Sequence, residues 1–527
     1  MPGTSATAWT LNPSVQYHPH SQAGSVTKTG SVITACPDLR GLAALAGDTV
    51  AGPIEITNDA GVKFWRFNGA QYATLANSLT AIANRGYSVA MVVRMPHQRG
   101  TVPFLVPRYA TYASDTSNTP ANASIRLLAA VVTSSGAPGL TGSLPGALTD
   151  TTNGYKAIPG CQLQVVGVAS RTTANGGTRY FLNNDTVDVA QATSSVTGYI
   201  GAIIGGAPGA VNTANVTVSV NNVFDLYELA YWQGEISNAN MVANIAAMVT
   251  NWSIAQLDTN LLLEGDSITD GIATTLATSP AWSTSVGAQL CKPGASLVPS
   301  NVRVLNLGTS GSQVASIITR RDATNPMSAM LYPGGPSKNI FAAQIGRNDV
   351  AASLGNQNSA QAYASIVTIF NTTTTGYLQR GWKCYFAANI GTTGTATTTN
   401  NVPTTENTTQ KRIEGIRALV ANTATHTPQS QFLTDTLSNT SQTFDGLMSV
   451  LHLYDISQGG TKWFNAVVGS TQWANAVPAG PYDNDSTHPV EAGHALMASG
   501  GDTPQYGFAS VFATAVSALR RMLMGIG

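Results

Sequence analysis

The sequence predicts two domains: an all-β sandwich over residues 1–254, then an α/β domain built on a parallel sheet over 255–527. Three observations carry this. A chain of 527 residues with 43% hydrophobic content exceeds one ordinary core. Before residue 255, short strand-like runs follow one another with Gly, Asn, Pro and Ser between them. After it, continuous apolar runs of strand length alternate with helix-like segments.

In the first half the runs are "VKFWRFNG" (62–69), "YSVAMVVRM" (87–95), "SIRLLAAVVT" (124–133), "CQLQVVGVAS" (161–170), "TRYFLNN" (178–184) and "NVTVSVNNVFDLYELAYW" (215–232). Strands at such short spacing, without long helices between them, make an all-β sandwich. A single helix is expected over 237–252, with Ser237 as its N-cap ahead of apolar residues at helical spacing. "FWRFNGAQYATL" (64–75), "YSVAMVVRM", "GYIGAIIGG" (198–206) and "FDLYELAYWQGEISNANM" (224–241) together resemble the laminin-G or concanavalin A-like lectin family over residues 15–252. That resemblance implies a jelly roll serving either as a glycan binder or as a spacer. Fold alone does not choose between them.

In the second half the strands are expected at "LLLEG" (261–265), "VRVLNLG" (302–308), "NIFAAQIG" (339–346), "WKCYFAANI" (382–390) and "MSVLHLYDI" (448–456). Amphipathic helices are expected within 357–381 and 408–423. Strands that are apolar throughout belong to a sheet covered on both faces, where active residues collect beyond the strands' carboxyl ends. The polar stretch 391–409 is expected on that rim as a loop.

Chemistry-bearing residues recur at those strand ends. Ser267 follows the first strand in "LLLEGDSITDG" (261–271), and Gly308 and Gly311 follow the second in "LNLGTSGSQ" (305–313). Asn348 follows the third in "QIGRND" (344–349), and Asp485 and His488 stand in "DNDSTHPVEAGHALMA" (483–498) before a C-terminal helix. A serine hydroxyl needs an adjacent base to attack at neutral pH, and an imidazole is suited to that role. A carboxylate accepting the other ring N–H fixes the tautomer and stabilises the imidazolium. The Asp-x-x-His spacing favours Asp485 over Asp483. His494 is a rival to His488, placed a helical turn or more further on, where a core or surface role is expected. Asp266 is expected to brace the loop, and Asp270 to sit in the first turn of a helix.

These four blocks, in this order, resemble the SGNH (GDSL-type) hydrolase family over residues 256–527. The resemblance implies a flavodoxin-like α/β/α domain and hydrolysis of carboxylic esters through an acyl-enzyme on Ser267, with Asp485 and His488 completing the triad. It implies an oxyanion hole from the backbone N–H groups of Ser267 and Gly311 and the side-chain amide of Asn348, Gly311 rather than Gly308 being the donor. No cofactor and no metal are needed.

Composition narrows the partners. Charged residues make up only 10% of the chain and the net charge is zero, which gives no basis for nucleic acid as a partner. A neutral polar surface beside a lectin-like domain points to acetyl groups on a glycan, with a carbohydrate ligand on the first domain. The Thr/Asn/Gly-rich make-up fits an extracellular or virion protein, such as a phage tail component working in a tail assembly or homo-oligomer. A general esterase or lipase is the alternative, as is a glycan-binding adhesion or structural protein with an inactive hydrolase domain. The first twenty residues have neither a basic n-region nor an apolar core, so no signal peptide is expected there. No run reaches the length of a membrane span. The four Cys form no CxxC pair and are expected as buried or semi-buried free thiols. His18 and His20 are expected as an exposed pair.

Overall fold

In the computed structural model the chain divides into two compact units: residues 1–256 with 293–295, and the remainder from 257 onward. Apart from short breaks, the structure describes residues 3–75, 87–109, the strands within 127–233, and 234–271. It further describes 285–322, 331–371, 375–387, four residues within 409–416, 448–451, 488–499 and 507–512. Asp485, Asp483, His97, His426, His452 and the stretch 391–408 lie outside the described residues, and the described residues of 408–423 are helical.

Among the described residues, the first unit is all-β apart from one helix. Sixteen of its strands pair antiparallel in a single sheet, and two more form a separate hairpin. At the centre, Val223–Gln233 pairs with Lys63–Asn68 on one side and Tyr87–Arg94 on the other. A bulge between Leu226 and Glu228 inverts the alternation along this strand. Phe224 and Leu226 therefore share a core with Leu229 and Tyr231, whereas Tyr227, Ala230 and Trp232 join the core on the opposite face. The helix Asn238–Asn251 covers that second face with Met241, Ile245 and Met248, and the Ser237 side chain accepts the Asn240 N–H at its N-terminus. Each such large apolar side chain, fully buried, contributes about 1.5–3 kcal/mol.

Glu228, brought to the helix side by the bulge, is fully buried. Its carboxylate accepts from the Thr7 N–H and hydroxyl, the Gln16 side chain and the Trp252 indole, which fastens the N-terminal segment to the sheet. His18 is not the exposed residue its sequence context suggested. It is buried, stacked on Trp252 at 5.4 Å, with Nδ1 accepting the Ser21 N–H. All four cysteines are buried, and none is in a disulfide.

Among the described residues, the second unit is built on five parallel strands: β1 (Thr259–Gly265), β2 (Val302–Asn306), β3 (Asn339–Gln344), β4 (Lys383–Ala387) and β5 (Met448–Leu451). Their order in the sheet is 2-1-3-4-5, the flavodoxin-like arrangement, whose order reverses between β1 and β3. Among its described helices are α1 (Ser267–Asp270), α2 (Val286–Leu290), α3 (Val314–Asp322), α4 (Arg347–Val350), α5 (Ser359–Asn371) and α6 (Glu491–Ser499). Every residue of β1, β2 and β3 is buried, as the apolar runs foretold. Phe370 of α5 meets Phe341 of β3 edge-on at 5.7 Å, and Tyr377 stacks on the same Phe341.

Register is set by one polar row at the start of the sheet. Asn260 stands opposite Arg303 on β2 and opposite Asn339 on β3. Its Oδ1 accepts from Arg303 Nε and Nη2, and its Nδ2 donates to Asn339 Oδ1. A one-residue slip of β2 would leave the fully buried Arg303 guanidinium without that acceptor, so the row selects a single pairing.

Candidate active site

The site grows out of the carboxyl ends of β1, β2 and β3, around the point where strand order reverses. After Gly265 the chain turns into α1, a single turn whose N-cap is Asp266. Its Oδ1 accepts the Ile268 N–H at 3.0 Å. Ser267 is the first residue of α1, so its own N–H has no acceptor within the helix. Its hydroxyl oxygen lies 2.7 Å from His488 Nε2. Two residues 221 positions apart are thus at hydrogen-bonding distance, and with Nε2 unprotonated the Ser267 hydroxyl donates to it.

His494 has a different task. It is buried on α6, and its Nε2 lies 2.8 Å from the Ile268 carbonyl. A carbonyl only accepts, so Nε2 carries a proton and donates, supporting the turn behind Ser267. Asp485, three residues before His488, lies outside the described residues.

The loop after β2 is tied to the nucleophile's turn. Asn306 Nδ2 donates to the Thr269 carbonyl at 2.8 Å, and its Oδ1 accepts the Gly308 N–H. The Thr309 N–H donates to the Gly265 carbonyl. Gly308 and Gly311 are needed for different reasons. A Cβ on Gly308 would lie 2.4 Å from the Asp270 nitrogen, so close approach to α1 demands glycine. Gly311 has open space around it but a φ of +75°, a conformation that side chains disfavour.

After β3, α4 carries Asn348 and Asp349. Asn348 Nδ2 donates to the Ser312 carbonyl at 2.9 Å, joining this turn to the loop that holds Gly311. The Asp349 carboxylate accepts the Val314 N–H, with its two oxygens at 3.1 and 3.2 Å, and so caps α3. The loop after α4 folds back on the same two residues, the Gly355 N–H donating to the Asn348 carbonyl and the Gln357 N–H to that of Asp349. Ser267, His488 and the two loops bearing Gly311 and Asn348 are therefore linked through short-range bonds.

Two buried carboxyls set the electrostatics. Burial pushes Asp266 above its ordinary range, against the pull of the Ile268 N–H, Arg347 and His488; its Oδ2 has no hydrogen-bond partner among the described residues. Burial raises Asp349 to about 6, with the Asp266 charge adding to the rise and the Val314 N–H opposing it. Sequence reasoning passed over Asp349, Asn306 and Thr269, whose Oγ1 donates to Gln344 Oε1 at 3.2 Å. An Asn and an Asp at strand ends were the available signal, and both look like ordinary turn residues. Among the described residues, no group of His, Cys, Asp and Glu could hold a metal ion. No helix there is long and apolar enough to cross a membrane.

The model for GDSL-like Lipase/Acylhydrolase matches residues 261–500, a span that includes Ser267, Gly311, Asn348, Asp485 and His488. Residues 261–500 form a GDSL-like lipase/acylhydrolase domain. No curated protein matches the chain. Among solved structures, an acetyl-xylooligosaccharide esterase from Geobacillus is 14% identical, with 46% of this chain and 93% of that one covered at a TM-score of 0.29. An alpha/beta hydrolase from the metagenome of Lake Arreo, Spain, is 12% identical, with 47% and 94% covered at 0.28. A Trypanosoma rangeli sialidase mutant is 11% identical at 0.29, with 43% of this chain covered and 32% of the sialidase.

Proposed function

We propose that this GDSL-like domain is a serine esterase that hydrolyses carboxylic esters through an acyl-Ser267 intermediate, its substrate being O-acetyl groups on a polysaccharide. The observation that carries the chemistry is the 2.7 Å approach of Ser267 Oγ to His488 Nε2 beyond the end of β1. His488 takes the hydroxyl proton as Ser267 attacks the ester carbonyl, then returns it to the leaving alcohol. Water repeats the sequence on the acyl-enzyme and releases the acid. Asp485 holds the other ring nitrogen of His488. The oxyanion receives the N–H groups of Ser267 and Gly311 and the free N–H of the Asn348 amide.

The glycan part of the proposal rests on composition. Only 10% of the residues are charged and the net charge is zero, a surface rich in amides and hydroxyls that is matched to neutral sugars. In this reading the all-β first unit is a lectin-like jelly roll, a carbohydrate binder or spacer. The chain as a whole is a component of a phage tail that deacetylates a host surface polysaccharide. Mass spectrometry of purified virions would detect it, and its presence only in secretory fractions would remove that localisation.

The substrate is tested by acetate release from acetylated polysaccharides, beside hydrolysis of 4-nitrophenyl acetate and of longer acyl esters. Release of acetate from a polysaccharide supports the proposal. Cleavage of aryl and long-chain esters alone would make the chain a general esterase or lipase. Inactivity on all three would leave a hydrolase-like domain in an adhesion or structural protein.

A further inference from the structure

The nucleophile's turn is a single helical turn, and a helix that short cannot satisfy its own last carbonyls. Gly271, with a φ of +81°, ends α1 directly after Asp270, and a Cβ there would lie 2.5 Å from the Ser285 nitrogen. Three successive carbonyls of the turn are met by three different parts of the domain. The Ser267 carbonyl accepts the Gly271 N–H at 3.0 Å, closing the turn on itself. The Thr269 carbonyl accepts from Asn306 Nδ2 at 2.8 Å, at the end of β2. The Ile268 carbonyl, between them, accepts from His494 Nε2 at 2.8 Å, on α6.

Two histidines of one segment therefore end on the same turn. His488 stands just before α6 and meets the Ser267 hydroxyl, whereas His494, inside α6, meets the carbonyl of the next residue. Their exposure separates the roles. His488 is only partly buried, as an imidazole that exchanges protons with substrate must be, and His494 is enclosed at 1% exposure. Other holds on α6 are less exacting. Gln289 Nε2 donates to Glu491 Oε1 at a long 3.4 Å, and Met497 and Ala498 are buried apolar side chains. Apolar burial is non-directional and leaves a helix able to settle along its axis. One residue of helical rise is about 1.5 Å, enough to break a 2.7 Å contact between His488 and Ser267. A buried hydrogen bond of 2.8 Å six residues further along resists that slide.

We propose that His494 is a positioning residue for the reaction: by donating to the Ile268 carbonyl it fixes where the carboxyl-terminal segment sits on the nucleophile's turn, and so delivers His488 to Ser267. The inference rests on the acyl-Ser267 reading above and names what sets the nucleophile and its base in register across 221 positions of sequence.

The test is stoichiometric reaction with diethyl 4-nitrophenyl phosphate, followed by 4-nitrophenolate release. Ser267 Oγ bonds to phosphorus, the bond from phosphorus to the aryl oxygen breaks, 4-nitrophenolate leaves with the electron pair, and the hydroxyl proton passes to His488. The amplitude counts folded sites, and the rate constant reports how well nucleophile and base are set. Wild type is compared with His494→Gln and His494→Phe. Glutamine carries its amide nitrogen as many bonds from Cα as histidine carries Nε2, so it still donates to the Ile268 carbonyl; phenylalanine keeps a ring and lacks the donor. The rate constant should fall about tenfold or more in His494→Phe and return to within about threefold of wild type in His494→Gln. With 4-nitrophenyl acetate, kcat should follow the same order while KM stays within about twofold. His494→Asn, whose amide falls short of the carbonyl, gives the same comparison where the phenylalanine variant does not accumulate as folded protein. A lower amplitude at an unchanged rate constant would mean that His494 serves folding alone and would overturn the proposal, as would equal losses in the glutamine and phenylalanine variants. A wild type that neither reacts with the phosphate nor cleaves 4-nitrophenyl acetate would overturn the acyl-serine reading and this inference together.

Discussion

The side-chain amide of Asn348 donates to the Ser312 carbonyl at 2.9 Å, one residue beyond the glycine with φ +75°. An amide has two N–H donors, so one fixes the group to the neighbouring loop while the other remains for substrate. Asn348→Ala should therefore lower kcat by about 10²–10³-fold with a smaller change in KM, because the lost bond matters most when the oxyanion forms. Steady-state kinetics on 4-nitrophenyl acetate measure this. A kcat within twofold of wild type would remove Asn348 from the oxyanion hole.

Ser267 and His488 should behave as one unit. Each alanine variant alone is expected to lower kcat by about 10⁴-fold or more, and the double variant to lose little beyond either single one. Single-turnover kinetics on the three variants give the comparison. Residual activity of Ser267→Ala near that of wild type would mean that another group attacks.

Much of this site was legible because its chemistry is tied to strand ends, and the strands announce themselves as apolar runs. Ser267 and Asn348 stand where parallel-sheet logic puts active residues, and the order 2-1-3-4-5 brings the ends of β1 and β3 side by side. What stayed hidden are contacts between segments distant in sequence. The Asn260 row across three strands, the Asn306 link to Thr269 and the Asp349 cap on Val314 each join residues that no local pattern connects. The bulge at Leu226–Glu228 was also invisible, since an alternating run does not reveal where its phase changes. His18 shows the same limit: a His-Pro-His stretch looks solvent-facing until Trp252, at the far end of the first unit, stacks on it.

The two glycines after β2 should separate cleanly. Gly311→Ala meets no atom within 4 Å, so its cost is the left-handed backbone alone, about 1 kcal/mol. Gly308→Ala would press a methyl group to within 2.4 Å of the Asp270 backbone nitrogen, where neither side can give. Urea denaturation is expected to show a modest loss for the first variant and a loss of about 3 kcal/mol or more for the second. Equal losses would contradict the packing of this loop on α1.

Asp349 makes stability depend on pH in a direction opposite to that of most acidic groups. Its carboxyl is pushed up to about 6, chiefly by burial, while in the unfolded chain an aspartate titrates near 3.9. Between these values the folded protein keeps a proton that the unfolded chain has released. Its contribution is therefore fully present below about pH 4 and is lost as pH rises through about 6. A rise of about two pH units corresponds to about 3 kcal/mol for this buried group. Asp349→Asn keeps an acceptor for the Val314 N–H and cannot ionise. The variant should be more stable than wild type at pH 7.5 by about 2–3 kcal/mol, with the gain shrinking toward zero near pH 4. Urea midpoints measured from pH 4 to 8 on both proteins give the difference curve, in which contributions from all other titrating groups cancel. A flat difference across that window would show that Asp349 ionises in the folded protein as readily as in the unfolded chain, and that its burial beneath the oxyanion loop carries no electrostatic cost.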